Sequence, residues 1–188
     1  MKLLLGLFLF ILCGCNSREV QVKNEVFKSN KTNLINNLKI VNNTPHDIKV
    51  NSPAFSEHKV YLRWMKPHSR EIVKEDVENY FKQFLGHNER NLVVTINKAN
   101  SYFLLAGASQ IPIVSLATIG TPRTVGVDLE IMFEVEVNGK VLKSYSYSKN
   151  FEIKSSSSRE DVYYKELMTK YGDVVFKEIE DIFVARYL

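Results

Sequence analysis

The clearest pattern in the chain is a period-two alternation. Val125, Val127, Leu129, Ile131, Phe133, Val135 and Val137 are apolar at every second position, and Asp128, Glu130, Glu134 and Glu136 stand between them, with Met132 the exception. Such alternation predicts a strand with one buried and one solvated face. Asn138-Gly139 follows, a pair that tolerates the positive φ angles of a two-residue hairpin turn, so a second strand should return beside the first. Regular pairing about that turn sets Glu134 opposite Lys143, Asp128 opposite Lys149 and Glu130 opposite Tyr147, a solvated charge ladder. Phe133, Ile131 and Leu129 then oppose Ser144, Ser146 and Ser148, small side chains that leave room for a covering helix.

Shorter strands are predicted at 38–41 and 48–50 around the turn Asn43-Thr44-Pro45-His46. After Pro53, Val60, Leu62 and Trp64 alternate with Tyr61 and Arg63, which predicts another. A helix should open with Ser69 as its N-cap and Glu71 in its positive first turn, and stop at Gly86. Ile72, Val73, Val77, Tyr80, Phe81, Phe84 and Leu85 share one face of it and belong to the core. Leu92, Val94 and Ile96 begin a further strand. Past the serines at 155–158, Ser158 and Asp161 cap a helix to about Tyr171; Gly172 interrupts it, and Asp173 recaps a second carrying Val175, Phe176, Ile179, Ile182 and Phe183. No internal repeat is present. The order predicts one α+β domain over 38–188: a twisted, mainly antiparallel sheet with helices packed on one face.

The N-terminus adds an address. Lys2 precedes an apolar run at 3–12 that is too short for a permanent membrane span. Leu12-Cys13-Gly14-Cys15 then resembles the lipobox of bacterial lipoproteins, where cleavage falls before a Cys that follows a small residue. That resemblance implies a lipoprotein signal peptide at 1–14. It also implies that Cys15 becomes the mature N-terminus and carries acyl chains, palmitate among them, which hold the protein to the membrane. A single acyl chain anchors only marginally, and the several of a lipoprotein hold firmly. Asn16 rather than Asp after the lipidated Cys points, by the same resemblance, to the outer membrane, facing the periplasm. Residues 15–37 are polar, rich in Asn, Lys and Ser, and read as the lipidated N-terminus and a tether.

Composition narrows the partners. The 188 residues carry a net charge of +4 and 45% hydrophobic side chains, which excludes a disordered tail, a multi-pass membrane protein and a strongly basic nucleic-acid binder. Removal of 1–14 takes Lys2 alone and leaves +3, so no nucleic acid or other dedicated anionic partner is expected. Both Cys lie in the signal region; residues 16–188 therefore have no disulfide, thiolate nucleophile or Cys metal site.

Catalytic motifs are missing. His46, His58, His68 and His87 show no ligand spacing, so no metal site is expected. There is no Gly-x-Ser-x-Gly, and Gly120-Thr121-Pro122-Arg123 lacks the Lys-Ser/Thr of a phosphate loop. The expectation is a protein that is not an enzyme and holds no cofactor. Its most distinctive stretch is 99–122, which contains no charged residue. Three readings compete there: a core strand with a partly buried loop, an exposed apolar loop for a partner or bilayer, and a membrane helix. Under the second, Ile111, Ile113, Val114 and Leu116 make the contact.

Taken whole, the order of lipobox, polar tether, short strand with Val60-Tyr61, helix to Leu85, strands and C-terminal helices resembles several small lipoprotein families of Gram-negative bacteria. These are the uncharacterised YajG-like lipoproteins, the auxiliary lipoproteins of ABC-type transport, and the lipopolysaccharide-assembly lipoproteins. The resemblance implies a lipid-anchored, non-catalytic binding or assembly accessory to an envelope protein complex. The alternative is a small-ligand carrier with lipid held between sheet and helices.

Overall fold

The computed structural model describes residues 18–22, 27–45, 58–105 and 122–188. In chain order its elements are β1 (Arg18–Glu19), β2 (Asn37–Asn42), β3 (His58–Tyr61), β4 (Met65–Lys66), α1 (Ser69–Lys82), β5 (Arg90–Leu105), β6 (Arg123–Val137), β7 (Lys140–Ser155) and α2 (Glu160–Ile179). A π turn, Glu180–Val184, and the short helix Ala185–Tyr187 complete the chain. The fold is α+β: an open twisted sheet in the order β2-β5-β6-β7, with β3 also on β5 and the helices on one face. All pairings in this sheet are antiparallel except β2 with β5.

The alternating segment is β6, and its odd positions face the helices. Val125, Val127, Leu129, Ile131, Phe133 and Val135 are at most 2% exposed. Across from them α1 contributes Val73, Val77, Tyr80, Phe81 and α2 contributes Tyr163, Leu167, Met168, Phe176. Phe133 stacks on Phe183 with ring centres 4.6 Å apart and meets Phe81 at 5.5 Å.

The hairpin forms at Asn138-Gly139, both with positive φ (51° and 73°), as a tight turn of the right twist demands. Its register departs from regular pairing. Glu136 opposes Val141 but Val135 opposes Lys143, so Leu142 is an extra residue on β7. From there every pair moves by one: Phe133 faces Tyr145, Ile131 faces Tyr147, Leu129 faces Lys149, and the serines go to the outer face. A one-residue slip exchanges the two faces of a strand. It is favoured here because Tyr145, Tyr147, Phe151 and Ile153 bury far more apolar area than Ser144, Ser146 and Ser148 would.

Two helix boundaries also differ from expectation. The N-cap of α1 is His68, whose N–H donates to Glu71 Oε2 at 3.0 Å. Ser69 is turned inward instead: its hydroxyl donates to the Ala99 carbonyl (2.8 Å) and accepts from the Ser101 N–H (3.0 Å). β2 pairs with β5 only at 91–96 and β3 only at 102–105, so the backbone between them lacks a strand partner, and Ser69 takes that place. Gly172 does not break α2. It is buried against the Phe176 ring, and the helix runs through it because interruption would expose Tyr171, Val175 and Phe176. Packing outweighs the ~1 kcal/mol helix penalty of a glycine. The N-cap of α2 is Arg159 rather than Ser158.

The described part of 15–37 lies on the domain rather than standing off from it. β1 pairs in parallel with β4, and Val20 is 6% exposed. Phe27 packs beside Tyr80 at 6.3 Å, and Ile35 is wholly buried, its backbone bridged to Leu85. The apolar residues scattered through this polar segment are what hold it down.

Candidate functional site

The outer face of the sheet carries no helix among the described residues, yet it holds a buried polar cluster. The rows of the sheet explain how. Tyr61, Tyr102, Gly126 and Glu152 are successive partners across β3, β5, β6 and β7, and Asn100, Asp128 and Asn150 form the next row. A bulge in β5 at Asn97 sets this phase, so Lys98, Asn100, Tyr102 and Leu104 face outward.

Tyr102 lies across Gly126 so closely that a Cβ built on the glycine would stand 2.5 Å from the phenol oxygen. Only glycine permits that approach. The hydroxyl sits between Glu152 Oε1, to which it donates at 2.6 Å, and Asn150 Oδ1. Lys59 Nζ stands 4.2 Å over the Tyr102 ring, and the Tyr61 ring meets it edge-on at 6.1 Å. Tyr102 is 0% exposed. Burial, then the hydrogen bond and charge of Glu152, push its phenol well above the ordinary value. The Tyr61 phenol is also raised, by burial and by Asp128.

Asp128 is 6% exposed and lies under two cations. Lys59 Nζ is 2.7 Å from Oδ1 and Lys98 Nζ is 3.5 Å from Oδ2, while the Tyr61 hydroxyl reaches Oδ2 at 3.4 Å. Lys98 also approaches Glu130 at 3.8 Å. Asp128 is therefore neither solvated nor opposite Lys149; it is neutralised by β3 and β5. Lys149 instead turns to the helical face and bonds Glu178 at 2.6 Å, beside the Tyr147 hydroxyl at 2.8 Å from the same carboxylate.

A cleft of about 200 Å³ opens beside this cluster, where β2 and β3 leave β5 unpaired. Tyr61, Arg63, His68, Arg70 and Asn100 are among its lining side chains. A second, larger groove of about 580 Å³ runs between the β1 segment and α2, past Val20, Val162 and Lys165. Chemically, the outer-face cluster is a pair of phenols donating to the carboxylates of Glu152 and Asp128, the second of which Lys59 and Lys98 neutralise. Such an arrangement fixes side chains in place and presents a rigid surface.

The contact residues expected from sequence are not among the described residues. Cys15, Ile111, Ile113, Val114 and Leu116 lie outside the described residues, as do the predicted strand at 48–50 and His46. Of the uncharged stretch, 99–105 completes β5, with Ala99, Ser101, Tyr102 and Phe103 buried. Among the described residues, no group of three or more His, Cys, Asp or Glu could hold a metal ion, and no helix is long and apolar enough to cross a membrane. Tyr102 and the role of Asp128 are not visible in residue spacing. The one available signal is Gly126, a glycine inside a strand, which marks close approach of another group.

No family model matches the chain, and no curated protein does. Among solved structures it is similar to protein XCC0632 from Xanthomonas campestris, described as a member of DUF330. The TM-score is 0.40 and the identity 8%, over 84% of this chain and 91% of that one.

Proposed function

We propose that this is a lipid-anchored cell-envelope lipoprotein, acylated on Cys15, that acts as a non-catalytic binding or assembly accessory on the outer membrane, facing the periplasm. Its membrane partner is the bilayer held through the acyl chains, and its protein partner is an envelope complex. Ile111, Ile113, Val114 and Leu116 make the contact. The observation that supports this reading is where the contact segment is rooted. Leu105, where β5 ends, and Arg123, where β6 begins, stand at one end of the five-stranded sheet, beside His58 of β3 and Ser155 of β7, so both roots of the contact segment are fixed by paired strands. β1, in a separate two-stranded sheet with β4, starts three residues after Cys15. The rigid sheet behind the two roots supplies a platform.

A lipid carrier is the second reading. Between sheet and helices the space is filled by wholly buried rings, Tyr80, Phe81, Phe133 and Phe183 among them, so a carried lipid would lie in the groove beside Val20 and Val162.

Photo-crosslinking in cells from position 113, with lipidation intact, tests both. A discrete protein adduct is the expected result and names the complex. Adducts to lipid alone would favour the carrier, and a Cys15 without acyl chains in the mass spectrum would overturn the anchor.

A further inference from the structure

Trp64 is the only tryptophan in the chain, and it is 38% exposed on the loop between β3 and β4. Its indole N–H donates to Glu160 Oε2 at 3.0 Å, at the start of α2. Two residues on, Val162 is 39% exposed and borders the groove that runs past Val20. Trp64 precedes β4, and β4 pairs with β1, Arg18 opposite Met65. Trp64, Val162 and the start of β1 thus belong to one end of the domain.

The length of chain between this end and Cys15 decides what faces it. Two residues, Asn16 and Ser17, separate Cys15 from Arg18, and the three steps of a fully extended chain cover at most about 10 Å. The polar layer of a bilayer is itself several ångströms deep on each side of a hydrocarbon core of about 30 Å. An acylated Cys15 therefore leaves no slack for the domain to stand clear. The opposite end of the sheet, with the exposed Val141 and Leu142, is roughly 35 Å farther along the strands and out of reach.

We infer that the domain sits directly on the bilayer, with the β1–β4 end down and Trp64 and Val162 in the headgroup layer. Tryptophan suits that layer, since its ring prefers the apolar side and its N–H needs a polar partner, here Glu160. The inference rests on the acylation of Cys15 proposed above. It replaces a flexible tether by a fixed orientation, in which the outer-face cluster around Tyr102 stands upright from the membrane.

The single tryptophan makes the test direct. The full-length acylated protein is reconstituted in vesicles of phosphatidylethanolamine and phosphatidylglycerol, with acylation confirmed by mass spectrometry. Phospholipids brominated close to the headgroup should quench most of the Trp64 emission, while aqueous iodide should lose access to it. A Trp64→Phe, Leu142→Trp variant should show the reverse, quenched by iodide and not by bromolipid. Acylated protein whose Trp64 stays open to iodide would overturn the seating and leave the lipoprotein reading intact. Protection from iodide without bromolipid quenching would put a second copy on this face and equally overturn it. An unacylated Cys15 would remove both.

Discussion

On the helical face of the sheet, Phe133 is buried by Phe81, Tyr145 and Phe183 under the helices; on the other face, Tyr102 is as fully buried with no described helix above it. The first kind of burial has many partners and little direction. Each ring contributes apolar area, and neighbours can shift slightly to keep contact. The second kind depends on a few contacts of fixed geometry: a glycine below, a lysine above, and carboxylates at Tyr102 and Asp128. One face is therefore sensitive to lost volume, and the other to displaced atoms.

The largest effect should come from volume. Phe133→Ala is expected to cost about 3–5 kcal/mol, whereas Met132→Ala, one residue along and on the opposite face, should cost well under half as much; urea unfolding of the two measures the contrast. Equal costs would erase the distinction between the faces.

Geometry comes next. Gly126→Ala adds a single carbon, but at 2.5 Å from the Tyr102 oxygen, so about 1–3 kcal/mol is expected. The penalty should fall sharply in a Tyr102→Ser background, because the two shortest clashes disappear with the ring and only Glu152 Cγ, at 2.9 Å on a flexible side chain, has to yield. A double-mutant cycle reads that coupling. Additive costs would show that the glycine serves some other purpose.

The smallest effect has the opposite sign. At Gly172 an added Cβ would meet only the Phe176 ring at 3.8 Å, an ordinary contact. Gly172→Ala should stabilise the protein by up to about 1 kcal/mol through helix propensity, seen as a raised Tm. Two glycines thus separate the two faces: one is required by what lies on it, and the other is not.

Of the outer-face cluster, the sequence shows the residue types and not their meeting. Asp128 sits in a row with Glu130, Glu134 and Glu136 and looks like any of them. Its burial comes from Lys59 and Lys98, 69 and 30 residues away in the chain. The β5 bulge that turns Tyr102 outward has no local mark either. In the same way, the polar letters of 15–37 outnumber Val20, Phe27 and Ile35, although those three hold the segment to the domain. Composition averages over a segment, but docking needs only a few residues with the right partners.

Local periodicity was enough to specify β6, the apolar face of α1 (Leu85 excepted, which lies past the end of the helix at Lys82 and is 40% exposed) and the Asn138-Gly139 turn, because each depends on neighbours within one strand, one helix or four residues. The α+β class followed from their order. Tertiary packing settled the rest. The Leu142 bulge arises because aromatic rings of β7 compete with serines for the core. Ser69 leaves the capping position because β5 has backbone groups without a strand partner. Gly172 stays helical because its neighbours on α2 are buried by other elements. In each case a local preference worth about 1 kcal/mol gave way to burial or hydrogen bonding supplied from far along the chain.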